Sequence, residues 1–321
     1  MGLTDLRLPG AVSRRDRPRR HQPSHPQPGR RPLRKLLAAA PFILPSLAGV
    51  ILFLLLPVVV VLLLSFVKWN FLQPPKWAGF SNFVTMTTDD HVFHALLVSA
   101  YYVLWNIPIQ TVVALGLAIL LNRSLPGMGV YRALFVLPYM STPVAMAVVW
   151  GWMFNAQNGL INHLLSLVGI TGPNWLGDQA TALPVVAMIA TWQYVGYNML
   201  FFLAGLQTIP PQLYEAAGID GASAWGQFRR ITLPLLNSTM LFVLVTDVIG
   251  SFQVFDQVYV LTQGGPGSAT NVINYQIYTT AFQNFDVGSA SAMSLLLFGV
   301  ILLVTFIQFR FFRNRTTYEA V

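Results

Sequence analysis

Apolar residues run along this chain in blocks too long for a water-soluble core. Six such blocks lie near 41–66, 94–121, 130–154, 182–206, 233–255 and 289–311. Residues 41–66 carry no charge in 26 positions, enough for a helix to cross a hydrocarbon layer about 30 Å thick with some tilt. The fourth and fifth blocks hold more polar residues, and their edges are less sharp. None of the six alternates with a period of two as barrel strands do, and backbone in lipid must satisfy its own hydrogen bonds. The pattern therefore predicts an all-α polytopic membrane protein with six transmembrane helices. A basic arm (1–38) precedes the membrane domain (39–312), and a short tail (313–321) follows it.

Composition agrees: 55% of residues are apolar and 9% charged, against about 25% charged in a soluble domain. Charge sets the orientation. With the N-terminus in the cytoplasm, 17 of the 19 Lys and Arg residues lie inside, and only Lys68 and Lys76 lie outside. Acidic residues divide five and five, with Asp247 left inside the fifth span. A Lys/Arg bias without an acidic bias is the positive-inside pattern. The chain is thus expected to be a multi-pass protein of the inner or plasma membrane with both termini cytoplasmic. The net charge of +8 is mostly topological.

The arm is rich in Arg, Pro, His and Gln, has little to bury, and reads as a disordered segment able to rest on anionic membrane lipid. No aromatic residues interleave its arginines, so a nucleic-acid partner is not expected. Arg14-Arg15 resembles a twin-arginine signal, but five further spans follow the first, which favours an uncleaved helix. The absence of cysteine removes disulfides, thiolate metal sites and thiol catalysis.

Residues 215–234 form a polar island between two apolar blocks. Pro210 and Pro211 end the preceding helix, and Pro211 fits the first position of a new one. Glu215 stands near that helix's positive end. Asp220-Gly221 is a turn signal, with Gly221 suited to a left-handed closing residue. Ser223 is placed to cap a second short helix running past Phe228 to Arg230. Ala216 and Ala217 expose little side chain, so another backbone can approach. Local chemistry alone is equally consistent with an ordinary helix-turn-helix that has no partner.

This segment resembles the EAA loop of permease subunits of ATP-binding-cassette (ABC) importers. It carries Glu215, Ala216, Ala217, Asp220, Gly221, Ala222, Phe228, Ile231, Leu233 and Pro234 in that pattern. Downstream, Phe255 to Gly267 resembles the carbohydrate-uptake branch, which includes maltose-type and glycerol-3-phosphate-type permeases. The likeness covers roughly residues 40–312. It implies a coupling loop at 211–234 between spans four and five, seated in an ATPase groove. Glu215 would be the anchoring charge, Ala216 and Ala217 the close fit, and Asp220-Gly221 the turn. It further implies a second permease subunit, two ATPase subunits that bind the ATP and Mg, and an extracytoplasmic substrate-binding protein. The cargo implied is a di- or oligosaccharide, with glycerol-3-phosphate or a glycerophosphodiester as the alternative.

Candidates for the translocation pathway come from the spans. Asp247 is an ionisable group at membrane depth, where such groups face a polar interior or a partner. Ser251 follows it at i+4 and shares its face. Tyr194, Tyr197 and Asn198 lie at i, i+3 and i+4, offering rings and an amide suited to a sugar. Gln193 and Gln253 are weaker candidates. Helix–helix hydrogen bonding accounts for Asp247 equally well, and for Tyr194, Tyr197 and Asn198 ordinary core packing outweighs the pathway reading. Asn106-Ile107-Pro108 and the Pro138–Pro143 stretch are expected to kink spans two and three.

Other functions find little support. No Gly-x-x-x-x-Gly-Lys-Ser/Thr loop is present, so the chain itself is expected to bind no nucleotide by that mechanism and to hydrolyse nothing. Gly264 to Gly267 reads as a turn in an external loop. His91 and His94 sit at i,i+3 without a third ligand, too few for a metal site. An ion-coupled secondary transporter would show several buried carboxylates or an internal repeat, whereas Asp247 is nearly alone.

Overall fold

The computed structural model describes residues 32–123 and 125–313, with side chains from residue 41 onward. Most of the predicted basic arm and all but the first residue of the predicted tail lie outside the described residues. Two compact units divide between Leu56 and Pro57, and every element from Pro57 onward belongs to the second.

Helix dominates. The first apolar block holds α1 (Pro32–Val50), a π-helical turn (Ile51–Leu55) and α2 (Leu56–Leu64). A two-stranded antiparallel ribbon, β1 (Val67–Lys68) and β2 (Lys76–Trp77), leads to α3 (Ser81–Thr88). Next come α4 (Asp90–Leu121), α5 (Met128–Met140), α6 (Pro143–Met153), α7 (Leu160–Leu167) and α8 (Gln179–Gln207). The polar island carries α9 (Pro211–Ile219), α10 (Ala224–Gln227) and a π-helical turn (Phe228–Thr232), then α11 (Leu233–Leu235). The chain closes with α12 (Asn237–Phe252), α13 (Asp256–Leu261), α14 (Ile273–Tyr278), a third π-helical turn (Thr279–Gln283) and α15 (Val287–Phe312).

Five segments are long and apolar enough to cross a membrane: Pro41–Leu64, Asp90–Leu121, Gln179–Gln207, Asn237–Leu261 and Val287–Phe312. The predicted third span, 130–154, is not one straight helix. It is the pair α5 and α6, bent by 96° at Ser141-Thr142. Pro138 and Pro143 flank that bend, and Pro143 opens α6 with Thr142 Oγ1 accepting from the Ala145 amide at 3.4 Å. Pro108 lies inside α4, which runs unbroken through it. Two of the π-helical turns stand just before a proline, Pro57 or Pro234, where a widened turn relieves the clash with the carbonyl four residues earlier.

Three aspartates start α4, α8 and α15 at one end of the bundle. Asp89 accepts from the His91 amide, Asp178 from Ala180 and Asp286 from Ser289, at 2.9, 2.8 and 3.1 Å. At the other end, Arg132 donates to the Leu121 carbonyl at 2.8 Å and closes α4.

The core is built around α8, which packs along α4 and α5. Gly196 makes the α5 crossing possible, because a Cβ there would collide with the Phe135 carbonyl. One apolar cluster joins Leu115, Phe202, Leu206, Leu236 and Val243 and receives Tyr214, Phe228 and Ile231 from the island. A second joins the opposite end of α4 to α15 through Val92, Phe252, Ile273 and Met293.

Candidate functional site

Between the two apolar clusters lies a continuous polar network on α4, α8 and α12. Asn198 Nδ2 donates to both carboxylate oxygens of Asp247, at 2.8 Å each. Gln110 Nε2 donates to Asp247 Oδ1 at 3.1 Å. Asn106 Nδ2 donates to Gln110 Oε1 at 3.4 Å and to Ser251 Oγ at 3.1 Å, while its Oδ1 accepts from Thr191 Oγ1 at 2.9 Å. Asn106, Gln110, Asn198, Asp247 and Ser251 are each at most 8% exposed. No Lys or Arg enters the network. A buried carboxylate is costly unless donors surround it, and here two side-chain amides supply them.

The network borders a cavity of about 240 Å³. Tyr102, Tyr139, Tyr194, Tyr197, Gln253 and Asp256 line it together with Asn106, Gln110, Asn198, Asp247 and Ser251. Tyr139 of α5 stacks on Tyr197 with ring centroids 4.3 Å apart and planes 16° from parallel, and Tyr194 meets Tyr139 edge-on at 5.9 Å. Gln193 lies to one side: its Nε2 donates to the Ser141 carbonyl at the α5–α6 bend, and its Oε1 accepts from Gln257. The cavity thus has aromatic faces on one wall and hydrogen-bonding groups on another. That combination suits a polyhydroxylated solute, whose rings present apolar faces and whose edges present hydroxyls.

All six pathway candidates from the sequence (Tyr194, Tyr197, Asn198, Asp247, Ser251 and Gln253) line this one cavity. Sequence reasoning missed Asn106, Gln110, Tyr139 and Asp256. By itself in the sequence, Asn106 signals only the Asn106-Ile107-Pro108 kink. A signal for the first two was present: amides at i,i+4 inside an apolar span, where polar side chains need partners.

The island has the geometry its residues predict. Pro211 opens α9. Gly221 closes it at φ +76°, with the Ala222 amide donating to the Ala217 carbonyl at 2.8 Å and the Gly221 amide to the Gly218 carbonyl at 3.1 Å. These two bonds make a complete Schellman closure. Ser223 Oγ accepts from the Gly226 amide at 3.2 Å and caps α10. One expectation needs correction. Glu215 is the fifth residue of α9, past the first turn, so the helix dipole lends its charge little. The helix is tethered on one face, where Tyr214 Oη meets Thr232 Oγ1 at 2.9 Å. Glu215, Ala216, Asp220 and Gly221 are exposed, and Ile219, an apolar residue on this polar segment, is 88% exposed.

Residues 90–318 match the family described as binding-protein-dependent transport system inner membrane component. The chain belongs to that family. It is a permease subunit of an ABC importer, and it is an inner-membrane component of a binding-protein-dependent system. The trehalose/maltose transport system permease protein MalF of Thermococcus litoralis is 34% identical over 275 residues, which cover 85% of this chain and 92% of that protein. The sn-glycerol-3-phosphate transport system permease protein UgpA of Agrobacterium fabrum is 36% identical over 249 residues, covering 76% and 83%. Among solved structures, a bacterial ABC transporter involved in the import of the acidic polysaccharide alginate has the same fold, with TM-score 0.78 over 89% of this chain and 98% of the matched one at 24% identity.

Proposed function

We propose that this permease passes a neutral di- or oligosaccharide through the cavity beside Asp247. The observation that carries this reading is the pairing of a tyrosine wall (Tyr139, Tyr194, Tyr197) with a buried carboxylate–amide network and no cation. Glycerol-3-phosphate, named in the description of one relative, or a glycerophosphodiester would meet Asp247 and Asp256 with no Lys or Arg in the lining to offset them. Ser251, Asn198 and Gln253 are the hydrogen-bonding groups we assign to sugar hydroxyls. The test is uptake by the reconstituted importer of labelled neutral disaccharides against glycerol-3-phosphate. Preference for the phosphate would overturn the reading.

The driving force belongs to partners. In this reading two ATPase subunits bind ATP and Mg, a second permease completes the membrane domain, and this chain alone hydrolyses nothing. The α9 segment seats in one ATPase. Glu215 faces a basic residue there, Ala216 and Ala217 allow the close approach, and Asp220-Gly221 sets the turn. Closure of the ATPase pair then moves α9 as a lever and switches the bundle between two access states. The tether from Tyr214 to Thr232 and the apolar contact of Phe228 supply the rigid link into α8 and α12 that a lever needs. Both termini lie in the cytoplasm in this reading, which places α9 on the ATPase side and the β1–β2 ribbon outside.

A further inference from the structure

Lys68 and Lys76 are the two cations that the positive-inside pattern leaves on the outer face, and the fold brings them together. They stand directly opposite one another in the β1–β2 ribbon. Like charges facing across a ribbon are destabilising. Among the described residues neither lysine side chain has an ion-pair or hydrogen-bond partner. Both are exposed and line one external concavity of about 520 Å³ with Trp69, Gln73 and Asn82. Asp286 borders the same concavity, but its carboxylate is occupied in capping α15 through the Ser289 amide.

The ribbon is not a loose loop. Asn82, 2% exposed, donates to the carbonyls of Ser65 and Val67 at 2.8 and 3.0 Å. The Val287 amide donates to the Trp69 carbonyl at 3.1 Å. Gly288 lies so close to β1 that a Cβ would strike the Val67 carbonyl. Phe66 stacks on Trp77 and meets Phe80 and Phe83. Around this held pair of charges, Leu72, Trp77 and Phe80 are each more than 70% exposed. Exposed aromatic side chains beside uncompensated charge are the make-up of a docking surface for an oppositely charged protein.

We infer that the β1–β2 ribbon is a docking point for the extracytoplasmic binding protein, with Lys68 and Lys76 received by an acidic patch on that partner. The inference rests on the outward orientation of the ribbon proposed above.

The experiment uses the complete importer in nanodiscs, titrated with its cognate binding protein while ATP hydrolysis is followed. K68E/K76E should raise the binding-protein concentration for half-maximal stimulation by about tenfold, steepen with falling salt, and leave basal hydrolysis unchanged. K68R/K76R should behave as the parent, and K68Q/K76Q should fall between. An unchanged half-maximal concentration in the charge-reversed variant overturns the proposal. So does a defect that appears only in nanodiscs containing anionic lipid, which would make the lysines headgroup ligands. Labelling of a cysteine placed at Leu72 by an impermeant reagent checks the orientation separately, so failure of the topology is told apart from failure of the docking surface.

Discussion

A single amide nitrogen, Nδ2 of Asn198 on α8, lies 2.8 Å from each carboxylate oxygen of Asp247 on α12. Every long helix that borders the cavity, other than those of the bent pair, meets in this contact or one bond away from it. It ties α8 to α12, Gln110 ties α4 to α12, and Asn106 ties α4 to α8 through Thr191. In the proposed pathway, cargo would therefore face groups that also hold the bundle together.

Replacing Asn198 with alanine removes two of the three side-chain hydrogen bonds to Asp247 and leaves a buried carboxylate under-satisfied. The expected loss is about 1–2 kcal/mol of stability, the upper range for hydrogen bonds between membrane helices. Thermal unfolding of the purified complex measures it. Thr191→Val, which removes only a peripheral bond to Asn106, should cost less than half as much. Equal effects of the two substitutions would deny Asp247 its central place.

The stacked pair Tyr139 and Tyr197 should matter through its faces and not its hydroxyls. Tyr197→Ala is expected to raise the half-saturating sugar concentration for transport by about tenfold, corresponding to an aromatic contact of about 1.5 kcal/mol. Tyr197→Phe should stay within about twofold of the parent, because the ring is kept. Transport kinetics at saturating binding protein reads both. A larger loss for the phenylalanine variant would refute the stacking role.

Gly221 closes α9 at a φ that proline cannot adopt and that only glycine and, less easily, asparagine adopt. Gly221→Pro should reduce co-purification of the ATPase subunits by more than about tenfold, by disrupting the segment that we assign to their groove. Gly221→Asn should retain most of it. Glu215→Lys tests the anchoring charge in the same assay, with loss expected and helix content unchanged. Full assembly and normal transport in both Gly221→Pro and Glu215→Lys would remove α9 from the coupling mechanism.

Gly196 gives a purely structural prediction. Its Cα faces the Phe135 carbonyl at the α5–α8 crossing, and any Cβ must push the helices apart. Gly196→Ala is expected to destabilise the protein by about 1–3 kcal/mol, the usual range for overpacking. Because Tyr139 lies one turn along α5, the same change should disturb its stack with Tyr197 and lower sugar transport. Gly218→Ala, on an open surface of α9, serves as the neutral comparison.

Much of this is legible in the sequence. Block length and the absence of charge in 41–66 dictate helices across a bilayer, because lipid offers the backbone no partner outside its own segment. Residue types with narrow backbone requirements also spoke for themselves: Pro211 opens a helix, Gly221 closes one and Ser223 caps the next. These are short-range effects, settled within a few residues. Asp247 stood out for a different reason, since an ionisable group at membrane depth needs partners whatever the fold.

The identity of those partners was beyond any local rule. Gln110 and Asn198 lie 137 and 49 residues from Asp247 in sequence, and only the packing of α4 and α8 against α12 decides that they meet. The same holds for Tyr139, which joins Tyr197 through the close approach at Gly196, and for the 96° bend that divides the third block into two helices. It holds again for Lys68 and Lys76, two unremarkable charges until a ribbon register sets them face to face. Hydrophobic length and backbone chemistry act locally and can be read along the chain. Which polar groups find each other depends on how the helices cross, and that is a property of the folded bundle.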